Sequence, residues 1–129
     1  LDHTAEVKFR AWGKDLEEAF ESGIRAFSHF IGESAKITSG KKKKIGIKGE
    51  DKESLLYNFL DELIYLLDAE NFVVVRGKVK IKGNSLSAEL LGDLASKYSG
   101  LYHVKAPTYS EMFVEKRKDR WEIQAVLDV

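Results

Sequence analysis

Hydrophobic residues in this chain recur with two different periods, and the order in which those periods alternate leaves few folds open. Across residues 4 to 12, Ala5, Val7, Phe9 and Ala11 fall on one side and Glu6, Lys8 and Arg10 on the other, the period-two pattern of a half-buried strand. From about Asp15 to Ile31 the period lengthens. Leu16, Phe20, Ile24, Phe27 and Ile31 then lie on one helical face, Asp15 with Glu17 and Glu18 forms a capping signal, and Gly32 stops the helix. After a polar stretch through Gly40, Ile45 and Ile47 alternate with Lys44, Gly46 and Lys48 as a short strand. A second helix opens at Gly49 and Asp51, with Glu53 in its first turn and Leu56, Phe59, Leu60, Leu63 and Leu67 as its core stripe.

Beyond Asn71 the period returns to two. Val75, Gly77, Val79 and Ile81 oppose Arg76, Lys78, Lys80 and Lys82, Gly83 and Asn84 suit a tight turn, and Leu86, Ala88 and Leu90 form the return strand of a hairpin. Residues 91 to 103 read as a loop. Two further strands are expected at Val104 to Arg117 and Arg120 to Leu127, joined by a turn at Lys118 and Asp119, with Trp121, Ile123, Ala125 and Leu127 alternating. The order β, α, β, α and then four strands predicts an α+β domain with a mostly antiparallel sheet packed on two helices. At 129 residues, with no repeat or linker, the whole of 1 to 129 is expected to form one domain.

Composition narrows the function. The chain has no cysteine, which removes disulfides, thiolate metal sites and cysteine nucleophiles. No apolar run approaches a membrane span, and the opening residues are too charged for a signal peptide, so a cytoplasmic protein is expected. The first residue is Leu1 rather than Met, so residues upstream of it are expected. His3, His29 and His103 lack ligand spacing, and neither a phosphate-binding glycine loop nor a serine-hydrolase elbow occurs.

The 21 basic and 21 acidic residues cancel, so a charge-based function must be local. Residues 36 to 52 carry seven lysines against Glu50 and Asp51, whereas residues 53 to 70 carry five acids and no Lys or Arg. The Lys41 to Lys44 run, with Arg76, Lys78, Lys80 and Lys82, reads either as solvent-facing sides of strands that discourage edge pairing or as a basic sheet face for phosphates. No aromatic residue interleaves with these lysines as base stacking requires. At the chain ends, Asp2 precedes the first strand and Asp128 closes the last. Acids at strand ends are commonly solvated, but two brought together by strand pairing suit a hard cation such as Ca²⁺ or Mg²⁺. Lys105, between Val104 and Ala106, reads as a strand-edge residue.

Four segments carry a resemblance: Asp2-His3-Thr4-Ala5-Glu6, the helix from Ser54 to Leu63, Val104-Lys105-Ala106-Pro107-Thr108-Tyr109, and Val126-Leu127-Asp128-Val129. Together and in this order they resemble the archease family over essentially the whole chain. The resemblance implies an accessory protein, not an enzyme, that promotes guanylylation and multiple turnover of an RtcB-type tRNA-splicing RNA ligase, meeting tRNA through that ligase. It also admits a chaperone-like modulator of tRNA-processing enzymes such as a tRNA methyltransferase. By resemblance, a divalent metal, expected to be Ca²⁺, is held by Asp2, Asp128 and Val129, and Lys105 is the residue tied to ligase activation. The implied mechanism docks the acid pair and its cation, beside Lys105, at the ligase active site. The chain departs from the family pattern at Pro107, usually aliphatic, and at Ser110, where His is common; Pro107 predicts a bulge or strand edge. A reading from a different class makes the basic strands a direct RNA-binding surface whose affinity falls steeply with salt.

Overall fold

The computed structural model describes residues 5–32 and 36–129. Strand β1 (Glu6–Gly13) leads into helix α1 (Leu16–Ile31), followed by β2 (Lys41–Lys48), helix α2 (Lys52–Ala69), β3 (Phe72–Lys82) and β4 (Ser85–Leu94). A short 3₁₀ turn at Ala95–Lys97 precedes β5 (Ala106–Pro107), β6 (Phe113–Lys116) and β7 (Trp121–Asp128). The strands form two antiparallel sheets. In one, β7 lies between β1 and the β5 and β6 segments; in the other, β4 lies between β2 and β3.

Both helices start where side chains satisfy their free amides. Asp15 accepts from the Glu18 amide at 2.8 Å. Asp51 accepts from the Ser54 amide at 2.7 Å, and the Ser54 hydroxyl accepts in return from the Asp51 amide at 3.1 Å. Helix α1 packs on β1 and β3, bridging the two sheets, and α2 touches β2 and β3 on one side and β5 and β6 on the other. That double coverage explains why α2 also buries Leu55, Ile64 and Leu66, outside the predicted stripe, while Leu67 is only half-buried. Phe20 of α1 and Phe59 of α2 meet at 5.6 Å within one contiguous core.

Several expected boundaries move. The four lysines from Lys41 to Lys44 belong to β2, because the pairing with β4 runs through Lys41 opposite Gly92. Strand β3 begins at Phe72, with Phe72, Val73 and Val74 buried in succession before a bulge at Val75 restores alternation. Strand β4 continues to Leu94, into the stretch read as loop; Gly92 has no Cβ there because one would lie 2.0 Å from the Val73 carbonyl oxygen. The predicted strand from Val104 to Arg117 is two strands. Ala106 opposes Asp128 while Phe113 opposes Gln124, so seven residues of this segment run past four of β7. The excess loops out over residues 109–112, just after Pro107, with Glu111 at φ 60°. The expectation attached to Pro107 is thus met by a break in the strand.

Candidate functional site

Strand β7 is buried on both faces. Ile123, Ala125 and Leu127 enter the core, while Glu122, Gln124 and Val126 are buried on the opposite face. Asp128 follows Val126 on that outer side by strand alternation and is half-buried. Three backbone contacts tie its position. Val129 donates to the Ala5 carbonyl at 3.1 Å, Lys105 donates its amide to the Asp128 carbonyl at 2.8 Å, and Thr108 donates to Val126 at 2.9 Å. The register places Glu6 of β1 directly opposite Asp128, with Ala106 opposite it on the other side. Paired residues of antiparallel strands share a face, so the carboxylates of Glu6 and Asp128 are neighbours of like charge, which destabilises the pair unless a cation offsets it.

Next along the same face, Lys8 pairs with Glu111 of the looped-out segment at 2.6 Å, and the Gln124 amide donates to the Glu111 carbonyl at 2.5 Å. These contacts hold the loop down beside the acid pair. Tyr109, at its start, stacks on Tyr57 of α2 with ring centroids 4.4 Å apart. Loss of solvent raises the Tyr109 hydroxyl above its ordinary pKa, reinforced by Tyr57 and by the carboxylates of Asp51 and Glu50. At the far end the character reverses. Glu122, 7% exposed, lies within 3.8 Å of Arg10, 3.6 Å of Arg117 and 3.4 Å of Arg120. Arg10 and Arg117 flank the Phe113 ring, and Arg120 lies 5.0 Å from the ring of Trp12, which is 54% exposed.

The structure therefore brings together Asp128, Val129 and the exposed Lys105 at one end of one sheet. Asp2 and His3 lie outside the described residues. Glu6 joins this group although the sequence reading gave it no site role, placing it on the polar side of a strand and at the end of the first resemblance segment; its partner across the sheet was not visible. His29 lies in the last turn of α1, and His103 is 4.0 Å from Asp68 of α2. Among the described residues, no three acidic or histidine side chains have an arrangement that could hold a metal. The donors present at the end of β7 are two carboxylates and main-chain carbonyls, the oxygen set that suits a hard cation rather than zinc. Among the described residues, no helix is long and apolar enough to cross a membrane.

Comparison with known proteins agrees with the fold and motifs. The family model described as the archease protein family matches residues 1–129. The chain is 39% identical to the protein archease of Pyrococcus abyssi over 135 aligned positions, covering 99% of this chain and 95% of that one. It is 35% identical to the archease of Methanosarcina barkeri, covering 100% of this chain and 93% of its relative. Among solved structures, the solution structure of Methanobacterium thermoautotrophicum protein 1598 is similar at a TM-score of 0.77 and 27% identity, covering 100% of this chain and 96% of that one. The crystal structure of a Thermotoga maritima archease, described as a possible chaperone, has the same fold at a TM-score of 0.67 and 19% identity, covering 100% and 94%. The match of the family model over the whole chain and the identity to curated relatives place this chain in the archease family.

Proposed function

We propose that this chain is an accessory activator of an RtcB-type RNA ligase and that it acts through a divalent cation, most simply Ca²⁺, at the end of β7. The observation that carries the reading is the register of β1 on β7, which sets Glu6 against Asp128 with the Lys105 amide bonded to the Asp128 carbonyl. Asp128 and Glu6 would hold the cation, joined by main-chain oxygen at Val129 and, by resemblance, by Asp2. When bound, the cation supplies a concentrated positive charge that offsets the repulsion between the carboxylates. Lys105, exposed and tied through its amide to the Asp128 carbonyl, would add a cationic side chain at the same end of the sheet, so the patch would offer both charge signs to a nucleotide- and metal-binding cleft. The loop held by Lys8 and Gln124 fixes the distance between this patch and Tyr109. Family membership supports an accessory role; the Thermotoga maritima relative is described as a possible chaperone.

The test is multiple-turnover ligation of RNA by a cognate RtcB-type ligase, with and without this chain. Asp128→Ala is expected to abolish the stimulation, and Lys105→Ala to reduce it, while both variants keep the native circular dichroism spectrum. Full stimulation by Asp128→Ala sinks the reading. A second readout is independent of the ligase: Ca²⁺ should raise the Tm of the native chain but not of Asp128→Ala. Glu6→Gln should weaken that response.

A further inference from the structure

The pleat divides the lysines of β2 into two groups. Lys43 pairs with Glu70 at the end of α2 at 2.5 Å, whereas Lys44 and Lys48 fall on the outer face of the β2–β4–β3 sheet. The register then builds three rows across that face. Lys44, Glu89 and Lys78 form the first, Gly46, Ser87 and Lys80 the second, and Lys48, Ser85 and Lys82 the third. The central strand thus supplies a floor with two serines, and the flanking strands supply cations on both sides, about 10 Å apart from wall to wall. The ammonium groups of Lys44, Lys48, Lys78, Lys80 and Lys82 have no ion-pair or hydrogen-bond partner among the described residues. Lys42 differs, lying 3.7 Å from Glu89, and Arg76 lines a separate hollow with Arg25 and His29.

Gly46 adds a second, independent observation. Glycine weakens a strand interior, and here neither packing nor backbone conformation requires it: a Cβ at Gly46 would meet nothing within 4 Å. Its lack of a side chain leaves the wall open opposite Ser87, and the adjoining concavity of about 410 Å³ on this face is lined by Lys44, Lys78, Lys80, Ser87 and Glu89. Glycine at such a place allows another chain to approach the backbone closely.

We propose that this face is a groove for the phosphodiester backbone of RNA, read through its charge and not its bases. Successive rows of lysine, paired in the first and third and single at Lys80 in the second, suit a linear polyanion, and serine hydroxyls are suited to donate to phosphate oxygens. The rows contain no aromatic side chain, so bases are left unstacked and sequence is not read. They contain no apolar side chain either, which a lipid surface would need for insertion beside the lysines. Acids set the limits of the path. Glu89 stands in the first row between Lys44 and Lys78, and Glu17 and Glu21 of α1 lie along the free edge of β3, so the backbone is confined between that edge and the lysines of β2.

The experiment measures binding of a fluorescein-labelled oligouridylate to the full chain by anisotropy across a salt series. With about four phosphates engaged, the slope of log affinity against log salt is expected near −3, as for single strands. Lys78→Gln with Lys80→Gln should flatten the slope by about 1.4 and cost about 25-fold in affinity near 0.1 M salt. Glu89→Gln should tighten binding, and Gly46→Thr should weaken it without lowering Tm. Binding that ignores all of these substitutions overturns the proposal, as does no binding at low salt. Equal or stronger binding to polyglutamate or to vesicles containing phosphatidylserine also overturns it, and would give the face to an acidic protein or a membrane. Asp128→Ala should bind RNA as the native chain does, so failure here and failure of the acid-site reading are separately visible.

Discussion

Asp93 is a carboxylate, 2% exposed, that would be costly to bury without partners. It has them: the Tyr98 hydroxyl and the Thr38 hydroxyl each donate at 2.7 Å, the Leu94 amide donates at 2.8 Å, and Lys97 lies 3.3 Å away. The Tyr98 bond first, then those of Thr38 and Leu94, hold its pKa far below the ordinary 3.8, against the opposing effect of burial. A depressed pKa means that the unfolded chain binds the proton more readily, so this contribution to stability is complete above about pH 4 and declines as pH falls below it. Asp93→Asn is therefore expected to lower Tm at neutral pH and to flatten the acid limb of a Tm-versus-pH curve; an unchanged acid limb would show that Asp93 is not its source. Residues 91 to 103 lack hydrophobic periodicity, and the partners of Asp93 come from as far away as Thr38, so nothing in the local pattern marks this residue as buried. Asp128 was legible as an unusual acid in an apolar run. Glu6 was not, because its place in the proposed site comes only from what β7 sets opposite it.

At the scale of elements, helix α1 guards an exposed sheet edge. The amides of Val79 and Ile81 on the free side of β3 donate to the carboxylates of Glu21 and Glu17, each at 2.8 Å. Unpaired amides along an edge strand invite pairing with another chain, and charged side chains placed over them block it. Hydrogen bonds to charged groups contribute about 1.5 to 3 kcal/mol when well shielded, so Glu21→Ala should cost about 1 to 2 kcal/mol in this part-buried setting. Urea denaturation measures the loss, and hydrogen exchange should quicken at Val79 in particular. Both helices were readable from their caps and stripes, since these are local signals. The segment from Val104 to Arg117 was not read correctly, because a looped-out run and a continuous strand share the same β-rich composition. Pro107 was the local clue, and the register shift against β7 decided the matter.

For the whole molecule, one core couples two sheets that carry different outer surfaces. Phe59 is 1% exposed and meets Phe20 across the helix pair, so Phe59→Ala should cost about 3 to 5 kcal/mol and lower the stability of both surfaces together in one unfolding transition. Two separated transitions in calorimetry would contradict a single core. The acid pair lies on the sheet of β1 and β7 and the lysine rows on that of β2, β4 and β3, so surface substitutions at one should leave the other's behaviour intact. The sequence alone determined the opening order of strand, helix, strand and helix, the α+β class and the family motifs, because periodicity, caps and short motifs are properties of neighbouring residues. It also showed that the charges were uneven despite their zero sum. Only the tertiary structure decided which charges share a face. Strand register joins residues as distant as Glu6 and Asp128, and a shift of one residue would send every side chain of β2 to the opposite side.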